Sequence, residues 1–151
     1  MKMYVVIQEQ NGRVGYQLIG QALIEADLDA SLTYLALRRK LQPLCTFAVY
    51  SSKQAAEAIQ ELEELGDVDV DPRDFDAEWF DPVECIATID SLLKSRARCV
   101  ARGVRTEIAL LRRVLTEAVH RRSTFHLVQV ESEKEIGCGK VLLAESKQPA
   151  V

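Results

Sequence analysis

Tyr4-Val5-Val6-Ile7-Gln8-Glu9-Gln10-Asn11-Gly12-Arg13-Val14-Gly15-Tyr16-Gln17-Leu18-Ile19 opens the chain with two apolar arms around an Asn-Gly pair. Asn-Gly is the strongest short hairpin signal, because both central residues of a type I′ turn need positive φ. The second arm alternates Val14, Tyr16 and Leu18 against Arg13, Gly15 and Gln17, the period of a half-buried strand. The stretch reads as a β-hairpin, which is marginal without further strands or helix cover. Its partner strand is expected near the other end, at Thr124–Val130. There Phe125 and Leu127 line one face, and Val128 and Val130 line the other together with His126. Apolarity on both faces marks an interior strand, so the hairpin and Thr124–Val130 are expected in one sheet.

Helical periods fill the middle of the chain. Leu28–Leu41 carries Leu28, Leu32 and Leu35 at helical spacing, with Tyr34, Leu37 and Leu41 alongside, a wide arc that predicts a well-buried helix. Pro43 lies beyond its end, and Cys45–Tyr50 reads as a short strand. Ser51-Ser52-Lys53-Gln54 has the form of a capping box and opens a helix burying Ala55, Ala58, Ile59 and Leu62, with Gly66 placed to end it. Asp81-Pro82 starts another, with Asp81 as N-cap and Val83, Ile86, Ile89 and Leu93 as the apolar face. Gly103 separates it from Val104–His120, where Val104, Ile108, Leu111, Leu115 and Ala118 recur at the helical period. Glu133–Gly137 reads as a turn and Lys140–Ala144 as a last short strand.

The fold class is therefore α+β: a small mixed or antiparallel sheet, built from the N-terminal hairpin and C-terminal strands, covered by about four helices. A chain of 151 residues, 48% hydrophobic and 28% charged, suits one domain over residues 1–145, with 146–151 as a flexible tail. No apolar stretch approaches the roughly 18 residues of a membrane span. The opening turns polar at Gln8, too early for a signal-peptide core. A cytoplasmic protein without membrane contact is expected. Cys45, Cys85, Cys99 and Cys138 form no C-x-x-C pair and read as reduced core thiols.

Charge is distributed unevenly. From Glu57 to Asp90 there are thirteen carboxylates and one cation, Arg73; from Lys94 to Arg122 there are nine cations and two carboxylates, Glu107 and Glu117. The whole chain carries only −4. Such asymmetry acts on association more than on fold. An internal contact between the two segments and an external one with a partner are both open. Glu84 and Asp90 are expected to pair with Lys94 and Arg98 on their own helix, leaving the loop carboxylates solvated.

The loop Asp67–Glu78 partly resembles an EF-hand calcium loop, with Asp67, Asp69, Asp71 and Glu78 at ligand positions. The sixth residue, which must turn sharply and is normally glycine, is Pro72. No tight calcium site, and no other metal or cofactor, is expected. The plain reading is a solvated acidic loop whose aspartates make local turns. The sharper one is a partner-binding surface of Asp71, Asp74, Asp76, Glu78, Trp79 and Asp81, an aromatic among carboxylates suited to a basic partner. For Trp79 and Phe80 the plain reading is that one of them anchors the loop to the core before the next helix.

Other chemistry is sparse. There is no phosphate loop, dinucleotide fingerprint, H-E-x-x-H or G-x-S-x-G. A sequence pI near 5.3 argues against nucleic-acid binding. His120 ends a helix, His126 lies on the interior strand, and Cys138 sits in Gly137-Cys138-Gly139-Lys140. These three are the residues from which a spatially assembled enzyme site could be built. The leading reading is a small non-enzymatic protein-binding module, immunity- or adaptor-like, whose acidic surface engages a basic protein. Alternatives are that Cys/His enzyme and a charge-driven homo-oligomer.

Overall fold

The computed structural model describes residues 1–66, 69–136 and 140–141. The two apolar arms form β1 (Lys2–Gln8) and β2 (Val14–Gly20), antiparallel to each other. The interior strand β4 (Thr124–Val130) runs antiparallel along the other side of β1, with Val6 opposite His126 and Tyr4 opposite Val128. Two short strands close the edges: β3 (Ala48–Val49) parallel to β4, and β5 (Lys140–Val141) parallel to β2. The mixed sheet has the order β3-β4-β1-β2-β5. The rest of the expected final strand, residues 142–144, and the tail 146–151 lie outside the described residues.

The hairpin forms, but not through a two-residue turn. Glu9 N donates to Arg13 O at 2.8 Å and Gly12 N to Glu9 O at 2.9 Å, leaving a three-residue loop, Gln10–Gly12. Gly12 alone takes positive φ there, 86°. Asn11 contributes its side chain instead, its Oδ1 accepting from Arg13 N at 2.9 Å. The polar side of β2 is also not a solvent side. Gly15, Gln17 and Ile19 are buried, while Val14 and Tyr16 are half-buried and Leu18 is exposed.

That inversion follows from where the helices sit. α1 (Ala22–Ala26), α4 (Pro82–Leu93) and α5 (Arg102–His120) pack on the sheet face carrying Met3, Val5, Ile7, Phe125 and Leu127. Ile89, Leu92, Ile108, Leu111 and Leu115 fill the space between, all essentially inaccessible to solvent. α5 follows its predicted period: Val104, Ile108, Leu111, Leu115 and Ala118 are all buried. The helix begins at Arg102, so Gly103 lies inside its first turn rather than ahead of it, and an added Cβ there would stand 3.6 Å from that of Ala22. The break between α4 and α5 falls at residues 94–101, where Arg105 donates to the carbonyls of Leu93 (2.6 Å) and Ser95 at the end of α4.

A close approach fixes the exit from β2. Glu107 accepts the backbone N–H groups of Ala22 and Leu23, each at 2.9 Å, and so caps α1 from α5. Gly20 has φ 139°, which L side chains rarely adopt, and a Cβ there would run into the Glu107 carboxylate, so a larger residue would be strained and would disturb the cap.

Three expected elements differ in detail. The period over Leu28–Leu41 spans a corner and a shorter helix, α2 (Ser31–Arg38), because Ala30 turns the chain with φ 62° and Asp27 binds both the N–H and hydroxyl of Thr33. Leu32 and Ala36 are buried, but Leu28, Tyr34 and Leu37 are exposed, so the arc is only half used. Cys45–Tyr50 is mostly a 3-10 turn, Leu44–Phe47, leading into β3. It seats Phe47 among Phe80 and Phe125, each with ring centroids 5.5 Å away. The inner face of α4 is Cys85, Thr88, Ile89 and Leu92, with Ile86 and Leu93 half-buried and Val83 exposed.

The opposite sheet face has a thinner cover. Tyr4, Val6, Val128 and Val130 are packed by Trp79, Tyr16, Val14 and Ile136, the last from the 3-10 turn Glu133–Ile136. α3 (Ser52–Glu64) reaches the turns 72–75 and 133–136 but contributes no fully buried residue. Ala55, Ala58, Ile59 and Leu62 are half-buried, so its predicted face is correct and its predicted burial incomplete. Of the cysteines, Cys85 is buried as expected, and burial pushes its thiol pKa up and keeps it protonated. Cys99 is half-buried and Cys45 exposed, so Cys45 is not a core thiol; Cys138 lies outside the described residues.

Candidate functional site

The acidic segment is spread over α3, the 3-10 turn Pro72–Phe75, which α3 contacts, and the N-terminus of α4. Local chemistry places α3 there. Ser51 Oγ accepts Gln54 N at 3.1 Å while Gln54 Oε1 accepts Ser51 N at 3.0 Å, a complete capping box. Gln54 Nε2 also reaches Gln129 O on β4, fixing the start of the helix to the sheet. Gly66 (φ 91°) lies just past the helix end.

The six candidate residues divide by role. Asp71 caps the 72–75 turn through Arg73 N (2.9 Å) and pairs with the Arg73 guanidinium at 3.0 Å. These bonds hold its carboxyl below the usual carboxylate range. Asp81 is the N-cap of α4, its Oδ1 accepting Val83 N at 2.9 Å. Asp74, Asp76 and Glu78 are exposed, and no ion pair engages them among the described residues.

Trp79 is an anchor. Half-buried, it stacks on His126 with ring centroids 4.1 Å apart and planes 27° apart. His126 Nδ1 lies 3.0 Å from Glu78 O, and burial holds its imidazole pKa below the ordinary value. Phe80 exchanges both backbone hydrogen bonds with Phe125, extending the covered edge of β4. The loop is thus pinned at 78–80, with its carboxylates facing outward.

Exposed aromatic surface lies beside these carboxylates. Tyr50, 54% exposed, faces Phe75 with ring centroids 6.0 Å apart, and Leu65, 78% exposed, follows α3. These residues gave no separate signal in the sequence, because an exposed apolar side chain looks like a core one until its surroundings are known.

The acidic and basic segments meet in one ion pair among the described residues, Asp90 to Arg112 at 2.6 Å, between α4 and α5. The expected local pairing of Glu84 and Asp90 with Lys94 and Arg98 does not occur, since Asp90 faces the neighbouring helix rather than its own C-terminal turn. Arg121 is held by Glu9 and Glu117, and Arg105 by backbone carbonyls.

The Cys/His residues do not converge in what is described. His120 is exposed in the last turn of α5, while His126 stacks on Trp79 on the sheet face turned away from α5. Among the described residues no group of three or more His, Cys, Asp or Glu is arranged to hold a metal. Asp67, the first position of the calcium-like loop, lies outside them. No described helix is long and apolar enough to cross a membrane. Comparison with protein-family models, with curated proteins and with solved structures finds no match.

Proposed function

We propose that the protein is a binding module that engages a basic protein segment through the surface formed by α3, the 72–75 turn and the start of α4. The supporting observation is that Glu61, Glu63, Asp74, Asp76, Glu78 and Glu84 are exposed and engaged by no ion pair among the described residues, although the same chain carries nine cations between Lys94 and Arg122. Carboxylates left unsatisfied from within are free to steer and hold an external cation-rich partner. Tyr50, Phe75, Leu65 and the half-covered face of α3 add apolar contact area inside the charged surface. A partner segment alternating basic and apolar side chains fits both properties.

The test is binding of an immobilised arginine–leucine peptide, measured at low and physiological salt. Wild-type affinity should fall steeply with salt. The combined variant Asp74→Asn/Asp76→Asn/Glu78→Gln should bind about tenfold more weakly, within what three exposed charge pairs supply. Its melting temperature should be nearly unchanged, since among the described residues none of the three side chains caps a helix or enters an ion pair. Undiminished binding by the variant, or a collapse of its stability, would remove the reading.

A second reading shares the same observation. Lys94, Arg96, Arg98 and Arg102 are likewise engaged by no ion pair among the described residues, so the acidic face of one copy complements the basic segment of another. Salt-sensitive growth in mass by light scattering, without added peptide, would favour that self-assembly.

A further inference from the structure

We propose that the cleft between α5 and the β1–β2 hairpin is a binding site for a small amphiphilic carboxylate carrying a hydroxyl or carbonyl group at the end remote from its charge. The cleft has a volume of about 280 Å³, close to the lower end of small-molecule sites. It lies on the sheet face opposite Trp79, and no residue of the acidic segment lines it. Ile7, Leu110 and Val114 give it an apolar wall.

Two buried polar side chains interrupt that wall. Gln17 is 3% exposed, and among the described residues its amide donates only to the neighbouring Leu18 O, at 3.1 Å. Ser123 is 4% exposed, and its Oγ is the buried side-chain polar atom left without a hydrogen-bond partner among the described residues. Buried polar groups are almost always satisfied, so an orphan hydroxyl on a residue that lines a cleft is a point where a ligand atom can complete the bonding once the side chain turns toward it. Its position is fixed from both sides: Arg122 turns the chain with φ 53°, and Ser123 N donates to Ala118 O at 2.8 Å.

The charge at the rim gives the ligand its polarity. Arg121 is neutralised by Glu117 at 2.9 Å and Glu9 at 3.4 Å. Arg113 also lines the cleft and is engaged by no carboxylate among the described residues. From Arg113 to the helix end at His120 is about 10 Å along the axis. An anionic head on Arg113, an aliphatic body along Leu110 and Val114, and a polar end at Ser123 and Gln17 occupy each feature once. An uncharged or cationic ligand would leave Arg113 unused or repelled.

The test uses three probes of equal chain length, 6-hydroxyhexanoate, hexanoate and 1-hexanol, titrated into isotopically labelled full-length protein and followed by NMR. Saturable shifts should localise to Ile7, Gln17, Leu110 and Val114, with affinity falling in the order in which the probes are named. The terminal hydroxyl should be worth roughly three- to tenfold, the range of a net hydrogen bond. Ser123→Ala should abolish the difference between 6-hydroxyhexanoate and hexanoate, and Arg113→Ala the difference between hexanoate and 1-hexanol. Both variants keep the backbone spectrum as a check of folding. Val114→Trp, which fills the cleft, should abolish all three titrations. Shifts that are absent, scattered over the surface or indifferent to the cleft variants would overturn the proposal.

Discussion

α3 and α5 are both amphipathic helices with their apolar residues at helical spacing, yet they are held by different forces. α5 has no side-chain N-cap, since Ala101 stands there, and it buries five residues against α4, α1 and the sheet. α3 has a complete capping box and buries none fully. One helix is stabilised by what it packs on, the other largely by how it starts. Helical stability in proteins usually comes from tertiary packing, so α3 is the exception, and it is the helix carrying the acidic surface. A helix that spends little of its apolar face internally keeps that face available to a partner.

The largest effect should come from truncating α5. Leu111→Ala empties a fully buried position and should cost about 2–5 kcal/mol in denaturant unfolding; a loss below about 1 kcal/mol would erase the contrast. Next is Ser51→Ala, which removes one half of the capping box and should cost about 1 kcal/mol. Leu62→Ala, on the half-buried face of α3, should cost no more than that, because it removes area already shared with solvent and leaves no closed cavity. If Leu62→Ala proves as damaging as Leu111→Ala, α3 is a core helix and its face is not available for binding.

The smallest effect is a slope with pH and concerns the thin side of the sheet. Burial holds the His126 pKa below the 6.5 of a free imidazole. The unfolded chain therefore takes up the proton first, so this contribution to stability is complete above about pH 6.5 and is lost as pH falls toward the folded pKa. His126→Phe keeps a ring against Trp79 and should flatten the dependence of unfolding free energy on pH between about 7 and about 5. An unchanged slope would mean that carboxylates alone set it.

Much of the fold was legible because it rests on local or periodic rules. Asn11-Gly12 marks the hairpin, Ser51–Gln54 the capping box, Asp81-Pro82 the start of α4, and the two-sided apolarity of Thr124–Val130 its interior place between β1 and β3. Where the reading failed, a neighbour distant in sequence had decided the outcome. Gln17 looks solvent-facing by alternation but lies beneath α5, 3% exposed. Leu28, Tyr34 and Leu37 look like core but lack an opposing surface. Asp90 has Lys94 only four residues on, at the C-cap of its helix, and pairs with Arg112 instead. The candidate site was legible as a charged segment, but not in its division of labour. Asp81 was readable as a cap from the proline that follows it, and Asp71 shares that signature, but the pairing of Asp71 with Arg73 was not read from it; Trp79 acquires its role only when β4 brings His126 beneath it.

By itself, then, the sequence determined the α+β class, the opening hairpin and its sheet with Thr124–Val130, the caps that open α3 and α4, and the separation of acidic from basic charge. Each depends on backbone sterics, on residue spacing or on composition, none of which requires knowing what lies across the core. Only the tertiary structure decided which apolar stripes are fully covered, which face of β2 is inside, that the acidic and basic segments meet at a single ion pair among the described residues, and that a cleft with an orphan hydroxyl lies against α5. Burial, pairing and cavities are properties of two surfaces brought together, and a single segment specifies only one of them.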